Sequence, residues 1–339
     1  MLTRLLSRTA LALVLLASSA QAQGYHLANT YTLGGEGGWD YLALDTVGNR
    51  IFIARSDRVM VVDEQTGKLL AEIPGLVGAH GVAFAQAAGR GFATSGRDSS
   101  VVMFDLKTLA VLGRIPAAPD ADAILFEPAT KHIFTFNGDA GTASVIDPVA
   151  GTRLANIELG GKPEFGVAVG DGMVFVNIED KAEIVQLDAR TMTAIRRWSI
   201  APCEEPTGLA IDRAHHRLFS VCHNRLMVVS DAMKGAVVGT APIGQGVDAA
   251  RFDDRTQLAF ASNGEGSITV VKEVTPDSFA VQTTVTTKRG ARTMELDPRT
   301  HRVYTATGDF GPAPTPTPAQ PRSRPPLLPG TFGLLVLEP

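Results

Sequence analysis

The sequence predicts an all-β fold built from one four-stranded unit that repeats along the chain. The first observation is a short apolar stretch, ending in an acidic or turn residue, that recurs about every 42 residues, the length of one such unit. This stretch ends at Asp45, Gln86, Glu127, Gly170, Asp212, Asp253 and Asp297. A second series keeps the same period: Asp63, Asp105, Asp147, Asp188 and Asp231. Two independent series that stay in step are not expected by chance.

Each unit also contains segments with the side-chain alternation of β-strands, such as RIFIA at 50–54, and turns rich in glycine. No stretch has convincing helical periodicity, so each unit is expected to be an antiparallel meander. A repeat of this length with four strands is typical of a β-propeller blade. The repeats therefore predict a seven-bladed β-propeller of four-stranded antiparallel blades. An open β-solenoid is the alternative.

The two ends of the repeat array are complementary. The last repeat ends at 333–339, after its third strand, whereas a spare strand at 26–33 precedes the first repeat. We expect this N-terminal strand to complete the last blade and close the ring, because closure removes the exposed strand edges of an open array.

Composition excludes several classes of protein. The chain has 339 residues, of which 45% are hydrophobic and 19% charged, which is a globular composition. Lys and Arg number 31 against 35 Asp and Glu, giving a net charge of -4, so a nucleic-acid partner is not expected. The two cysteines cannot form a four-cysteine metal or iron–sulfur site, and no haem-attachment motif is present. A divalent metal is left open as a cofactor.

The first residues have three features of an export signal. Arg4 and Arg8 precede an apolar run at 10–17, and Ala20 and Ala22 provide the small residues of a cleavage site. The run is shorter than the roughly 20 residues that span a bilayer. We therefore expect residues 1–22 to be a cleaved signal peptide and 23–339 to be a single propeller domain, periplasmic or secreted and without a membrane span. A buried N-terminal helix is the alternative.

Four segments carry a resemblance to a known family. They are WDYLALD at 39–45, EEPTGLAIDRAHHRLFSVC at 204–222, IGQGVDAARFD at 243–253 and RGARTMELDPRTHRVY at 289–304. In these the chain resembles the YncE-like periplasmic group of the YVTN-repeat β-propeller family, which belongs to the wider set of WD40/YVTN repeat-like proteins. The resemblance implies the fold over essentially all of 23–339. It implies no reaction, because this group has no common one and the chain contains no complete catalytic motif of related lactonases or lyases.

A propeller of this kind would gather polar residues at one mouth of its central channel. The entries of the innermost strands and the adjoining loops carry Trp39, Asp40, His80, Asp122, Glu164, Glu205, His223, Asp248, Asn263 and Arg292. Convergent polar groups in a concave surface indicate a ligand site, and neighbouring carboxylates, histidine and arginine should perturb one another's pKa values. A mouth lined by polar residues that only bind water is the alternative.

These residues leave three functions open. The favoured one is a non-catalytic monomer that binds a small molecule or a protein at the channel mouth. The second is a hydrolase, lactonase or lyase, with Glu164 or Glu205 as base, His80 or His223 as acid and Arg292 as oxyanion clamp, with or without a divalent metal. The third is an accessory protein of a redox system.

Three other features of the sequence allow predictions. Residues 311–330 form a proline-rich insertion in the last blade, which would be a semi-rigid flap over the channel mouth or merely a tolerated surface loop.

Cys203 and Cys222 fall in one repeat and are expected to form a disulfide in an oxidising compartment. The alternative pairs them with His223 and His80 as ligands of copper or zinc. His215 and His216 lie on the opposite turn and are expected to be solvated.

Overall fold

A computed structural model describes residues 24–315 and 325–339. The predicted signal peptide lies outside the described residues, and so does the middle of the proline-rich insertion. Within the described residues, the regular structure is β apart from three short 3₁₀ turns at Gln86–Ala88, Gly96–Asp98 and Glu179–Lys181. In these parts of the chain no helix is long and apolar enough to cross a membrane.

The strands follow one another at short intervals. The first thirteen are β1 (His26–Thr32), β2 (Leu42–Asp45), β3 (Arg50–Asp63), β4 (Leu69–Ala85), β5 (Arg90–Ser95), β6 (Ser100–Asp105), β7 (Val111–Pro116), β8 (Ala121–Glu127), β9 (His132–Asn137), β10 (Thr142–Asp147), β11 (Thr152–Glu158), β12 (Pro163–Ala168) and β13 (Met173–Ile178). The others are β14 (Glu183–Asp188), β15 (Thr193–Ser199), β16 (Pro206–Asp212), β17 (Arg217–Cys222), β18 (Leu226–Asp231), β19 (Ala236–Pro242), β20 (Val247–Asp253), β21 (Leu258–Asn263), β22 (Ser267–Thr275), β23 (Ser278–Thr286), β24 (Met294–Leu296), β25 (Val303–Thr307) and β26 (Gly333–Glu338).

In the described part of the chain these strands form a β-propeller of six sheets. Four sheets take consecutive strands, β8–β11, β12–β15, β16–β19 and β20–β23, and a fifth has the order β1-β26-β25-β24. The sixth sheet has six strands, β2 to β7. The predicted all-β propeller class is confirmed, but the prediction of seven four-stranded blades is wrong.

The six-stranded sheet explains the difference. Strand β3 pairs with β2 at its start and with β4 from Ser56 onwards, and β4 pairs with β5 beyond Ala79. The backbone bends where a break between strands was expected, with positive φ at Ser56 and Gly75, and the strands continue through the bends. The first two repeats are therefore hydrogen-bonded into one continuous sheet.

Both ends of the described chain meet in one sheet. Strand β1 pairs antiparallel with β26, from His26 opposite Glu338 to Thr32 opposite Gly333. Just before β1, the Tyr25 hydroxyl donates to the carbonyl oxygen of His301 at 2.8 Å. The predicted closure of a seven-bladed ring is not confirmed. The pairing with β26 makes β1 the edge strand of a four-stranded sheet.

The hydrophobic core lies between neighbouring sheets. Phe52 and Phe104 stack within one cluster, with ring centroids 5.8 Å apart, and Phe136 and Val176 belong to a cluster shared by the next two sheets. Adjacent inner strands approach so closely that glycine is required in places. A Cβ on Gly208 of β16 would lie 2.5 Å from the backbone nitrogen of Ala250 on β20. This packing brings the inner strands together around a central channel.

Carboxylates close the hairpin turns. Asp147 Oδ1 accepts hydrogen bonds from the backbone N–H groups of Val149 and Ala150, at 2.7 and 3.0 Å. These bonds stabilise the charged form and lower the pKa of Asp147. The same contact to residues two and three positions further on occurs at Asp63, Asp105, Asp231 and Glu127. The periodic acids of the sequence are therefore turn-forming residues.

The predicted disulfide is confirmed. Cys203 and Cys222 are bonded, with their Cα atoms 5.5 Å apart. The bond ties the loop before β16 to the end of β17, beside the first residues of the inner strand. It holds the mouth end of this hairpin together.

We expect loss of this bond to destabilise the protein. Replacing both cysteines, Cys203→Ser with Cys222→Ser, removes a cross-link between residues 19 positions apart, and a loop of this size contributes about 2–4 kcal/mol to the free energy of unfolding. Urea denaturation of the oxidised wild type and the double variant would measure the difference. Identical denaturation midpoints, or two free thiols titrated in unfolded wild-type protein, would contradict the bond.

Candidate functional site

A polar cavity of about 370 Å³ lies at one mouth of the central channel. It is lined by Asp40, Tyr41, His80, Asp122, Glu164, Glu179, Thr207, His223, Gly246, Val247, Asp248 and Arg292. Asp122, Glu164, Thr207 and Asp248 all fall near the first residue of an inner strand. Because these strands start at the same end of the channel, their first side chains converge there. Most of the residues predicted from strand entries therefore line one cavity.

His80 connects two of the carboxylates. Its Nδ1 lies 2.7 Å from Asp40 Oδ2 and 3.5 Å from Asp122 Oδ1. Burial disfavours the charged ring, but the hydrogen bond to Asp40 and the charge of Asp122 outweigh it and raise the pKa of His80 to about 9. At neutral pH the imidazole is therefore a cation held between two acids.

Arg292 occupies the other side of the same group. Its guanidinium pairs with Asp248, lies 3.3 Å from Asp40 Oδ1 and donates to the carbonyl oxygen of Trp39 at 3.2 Å. Asp40 is thus shared by Arg292 and His80. Residues from three sheets are fixed relative to one another by these contacts.

Two carboxylates of the cavity keep their protons at unusually high pH. Burial outweighs the nearby charge of His80 and raises the pKa of Asp122 to about 7. Burial, together with the charge of Asp122, raises the pKa of Glu164 to about 8. Burial and the same acids raise the pKa of Tyr41 well above its usual value. The cavity therefore holds carboxyl groups that titrate close to neutral pH.

Two residues at the cavity were missed from the sequence: Glu179 in its lining and Lys162 beside it. Lys162 Nζ lies 2.5 Å from Glu179 Oε2 and 3.9 Å from Glu164 Oε2. Lys162 comes two residues before Glu164, and period-two alternation in the sequence would have placed both on the same face. Glu179 follows β13 in a 3₁₀ turn, for which the sequence carries no comparable signal.

Three predicted residues lie outside the cavity lining. The Glu205 side chain is 66% exposed and pairs with Nδ1 of His223 at 2.8 Å, at the rim. Asn263 is buried, and its amide donates to the hydroxyls of Ser267 and Thr269 within its own sheet. The Trp39 ring packs against Phe332, with centroids 5.4 Å apart.

Trp39 faces a second cavity of about 600 Å³, next to the first. Its lining includes Phe310, just before the proline-rich insertion, and Pro325 and Leu327, within it, and it shares Arg292 with the polar cavity. The described ends of the insertion therefore lie beside the channel mouth.

The polar cavity can bind and position charged groups. One ligand atom from each of Asp40, His80 and Asp122 lies within 4.8 Å of the others, so these three could hold a divalent cation. The thiolate site that was the alternative for the cysteines does not apply to a disulfide-bonded pair. The lining includes no serine or cysteine, and the hydroxyl of Thr207 donates to the carbonyls of Val221 and Val247. Among the described residues, the lining thus presents no activated nucleophile of the serine, threonine or cysteine kind.

Comparison with known proteins identifies the class of fold. Superposition on hydrazine synthase from Kuenenia stuttgartiensis gives a TM-score of 0.70 at 13% sequence identity, covering 79% of this chain and 92% of that chain. Superposition on U3-55K gives a TM-score of 0.76 at 8% identity, covering 92% and 99% of the two chains. No family model matches the sequence, and no curated protein matches it. At such low identity the likeness shows the fold alone, and the chain is a β-propeller protein.

The cavity should make the protein less stable as the pH rises from about 5 to about 9. Folded Asp122 and Glu164 retain protons that unfolded carboxyl groups have already released, and each retained proton lowers the free energy of unfolding by about 1.4 kcal/mol per pH unit. The stabilisation from charged His80 is complete below about pH 6.5 and is lost as the pH rises through its folded-state pKa of about 9.

Chemical denaturation at a series of pH values would test this dependence. Glu164→Gln should flatten the decline between about pH 5 and pH 8, because it removes one of the retained protons. The exposed Glu204, changed to Gln, is the control and should leave the curve parallel to that of the wild type. Parallel curves for all three proteins would contradict the assigned protonation of Glu164.

Proposed function

We propose that this protein is exported to the periplasm and binds a small polar ligand at the channel mouth without transforming it. The observation that carries this proposal is the convergence of Asp40, Asp122, Glu164 and Asp248 in one cavity with His80 and Arg292. Pre-positioned polar groups in a concave surface are typical of ligand sites. The ion pairs that hold the lining in place reduce the ordering cost of binding.

The charges of the cavity favour a cationic organic ligand. The closest ion pairs of His80, Arg292 and Lys162 are to Asp40, Asp248 and Glu179. Asp122 and Glu164 lie farther from these cations, at 3.5 Å from His80 and 3.9 Å from Lys162, so they are the groups left to meet a ligand. Their pKa values, about 7 and about 8, mean that a bound cation would displace their protons. Binding of an amine should therefore release protons and strengthen as the pH rises through this range.

Several features support the setting of this proposal. The signal-like segment ahead of residue 23 and the disulfide fit an oxidising compartment outside the cytoplasm. Membership of the YncE-like YVTN group fits the four segments named above. The proposal includes a monomeric protein whose site is also open to an exposed group of a protein partner. The net charge argues against nucleic acid as a partner.

The ligand class can be tested by calorimetry with defined probes. Spermidine, arginine and glucosamine serve as cationic probes, glucose as a neutral probe and citrate as an anionic probe. We expect cationic probes to bind and to release protons, seen as a heat that changes with the ionisation enthalpy of the buffer. Binding of citrate in preference to the amines would contradict the proposed ligand class.

A matched pair of variants locates the site. Above the pKa of Glu164, Glu164→Gln should weaken amine binding by at least tenfold, since losing a charged partner in a partly desolvated site costs about 2–5 kcal/mol. Glu205→Gln, at the exposed rim, should change affinity by less than about threefold, because rim charges contribute little. Wild-type affinity in the Glu164 variant would put the site elsewhere.

Catalysis is a second candidate, favoured by one observation. Asp122, with a pKa of about 7, lies beside charged His80, and such a pair can serve as general base and acid near neutral pH. Arg292 could then stabilise a developing oxyanion. A panel of lactones and esters would test this: turnover that is lost in Asp122→Asn would favour a hydrolase or lyase, and no turnover would favour binding alone.

A further inference from the structure

A second cluster of ionisable residues lies at the opposite end of the channel. Asp212 is the last residue of β16, His215 follows in the turn to β17, and Glu273 belongs to β22 of the next sheet. Thr207, near the start of β16, lines the channel mouth. Asp212 is five residues further along the strand, about 16 Å away. The cluster is therefore separate from the proposed ligand site.

The histidine satisfies only one of the two acids. His215 Nδ1 lies 2.5 Å from Asp212 Oδ2 and 3.0 Å from Glu273 Oε1. A ring nitrogen carries one proton, and here it goes to the nearer acid, Asp212. The Glu273 side chain is 1% exposed. Neither of its oxygens has a hydrogen-bond partner among the described residues.

This geometry differs from the solvated turn expected from the sequence. The side chain of His215 is 32% exposed and faces two buried carboxylates, whereas His216 is exposed. Arg217, two residues after His215, does not replace the missing partner. Arg217 is engaged by Asp231 at 3.1 Å and by Asp277 at 2.8 Å.

Glu64 holds the equivalent position in another repeat and shows which hydrogen-bond partners Glu273 lacks. The backbone N–H of Glu64 donates to Asn49, and that of Glu273 donates to Gln257, a residue with the same left-handed conformation as Asn49. Glu64 is also buried, but it accepts bonds from Arg299 at 2.6 Å and from the Tyr304 hydroxyl at 3.0 Å.

Both of those partners are replaced in the other cluster. Arg299 stands two residues after Asp297, and the residue two after Asp212 is Ala214. Tyr304 stands seven residues after Asp297, and the residue seven after Asp212 is Phe219. Glu273 thus occupies a position equivalent to that of Glu64, but it has no counterpart of Arg299 and no counterpart of the Tyr304 hydroxyl. A charged carboxylate left in this way is costly: burial and the charge of Asp212 raise the pKa of Glu273 to about 7, so it holds a proton below that pH, and a cation at this position would displace that proton.

We propose that Asp212, His215 and Glu273 bind a divalent transition-metal cation that links two sheets of the propeller. One ligand atom from each residue lies within 4.8 Å of the others, as three ligands of one cation require. Two carboxylates with one imidazole suit Zn²⁺ or Mn²⁺ better than Mg²⁺ or Ca²⁺, which prefer oxygen ligands alone. The cation takes the place that Arg299 has beside Glu64 and joins the sheet β16–β19 to the sheet β20–β23.

Metal binding can be measured on the full chain after removal of metals with a chelator. All proteins carry His80→Gln, so that the cluster at the channel mouth cannot contribute its imidazole. Co²⁺ is the spectroscopic probe, and Zn²⁺, Mn²⁺ and Mg²⁺ are compared by thermal denaturation. We expect one Co²⁺ per chain with visible d–d absorption, and a Tm that rises with Zn²⁺ or Mn²⁺ at concentrations at least tenfold lower than with Mg²⁺.

Two variants make the assignment specific. Ala214→Arg supplies the arginine that Glu64 has, and Glu273→Gln removes the buried charge. Each should abolish Co²⁺ absorption and the metal-dependent rise in Tm, and each should raise the Tm of the metal-free protein. Absence of Co²⁺ binding in the His80→Gln protein would overturn the proposal. So would a metal-dependent rise in Tm that persists in both variants.

Discussion

The bond between a side-chain carboxylate and the backbone of its own turn is the interaction on which this structure depends. In Asp147 and Asp105 one carboxylate oxygen accepts two consecutive N–H groups that would otherwise be unpaired at the end of a hairpin. Some of these acids also reach the neighbouring repeat. Glu127 accepts from the backbone of Gly172, and Asp45 accepts from Gln86. Carboxylates therefore shape the turns, and that of Glu127 also joins two sheets.

This double role explains how much of the fold is visible in the sequence. The acids recur because they close most of these turns, so their period predicts the strands and the propeller class correctly. The number of sheets depends on something else, namely whether hydrogen bonding continues through a bend. At Ser56 and Gly75 it does, and no pattern of hydrophobic residues distinguishes a bend within a sheet from a break between sheets.

The candidate site was predictable to the extent that strand position determines it. Asp122 and Asp248 were found because the entry of an inner strand must face the channel. Asn263 was placed in the same group from its loop and Glu205 from the entry of its strand. Glu205 lies just before β16, and the direction of a side chain outside the strands depends on local bonds, as that of Asn263 depends on its bond to Ser267. The position of Glu273 in the cluster with Asp212 and His215 was not predictable, since a buried acid without a hydrogen-bond partner is recognised only when its surroundings are known.

The buried acids at the channel mouth are neutralised in two ways. At the mouth, Asp40 and Asp248 are neutralised by His80 and Arg292, and the acids left over hold protons instead. A cavity organised in this way has little net charge until a cation arrives, so it can remain accessible to water without a large electrostatic cost. The burial that raises the pKa values of Asp122 and Glu164 is the cost that the proposed cationic ligand would offset.

The pairing of β1 with β26 has a consequence for biosynthesis. The other sheets are each built from one contiguous stretch of chain and can assemble as that stretch leaves the ribosome, whereas the sheet β1-β26-β25-β24 must wait until both of its distant segments have been made. During that interval β1 has no strand beside it and presents an open edge to other chains. For a protein secreted before folding, this delay is harmless, because the whole chain is delivered before any sheet forms. In a compartment where folding accompanies translation, the same topology would leave a nascent chain exposed to mispairing until synthesis ends.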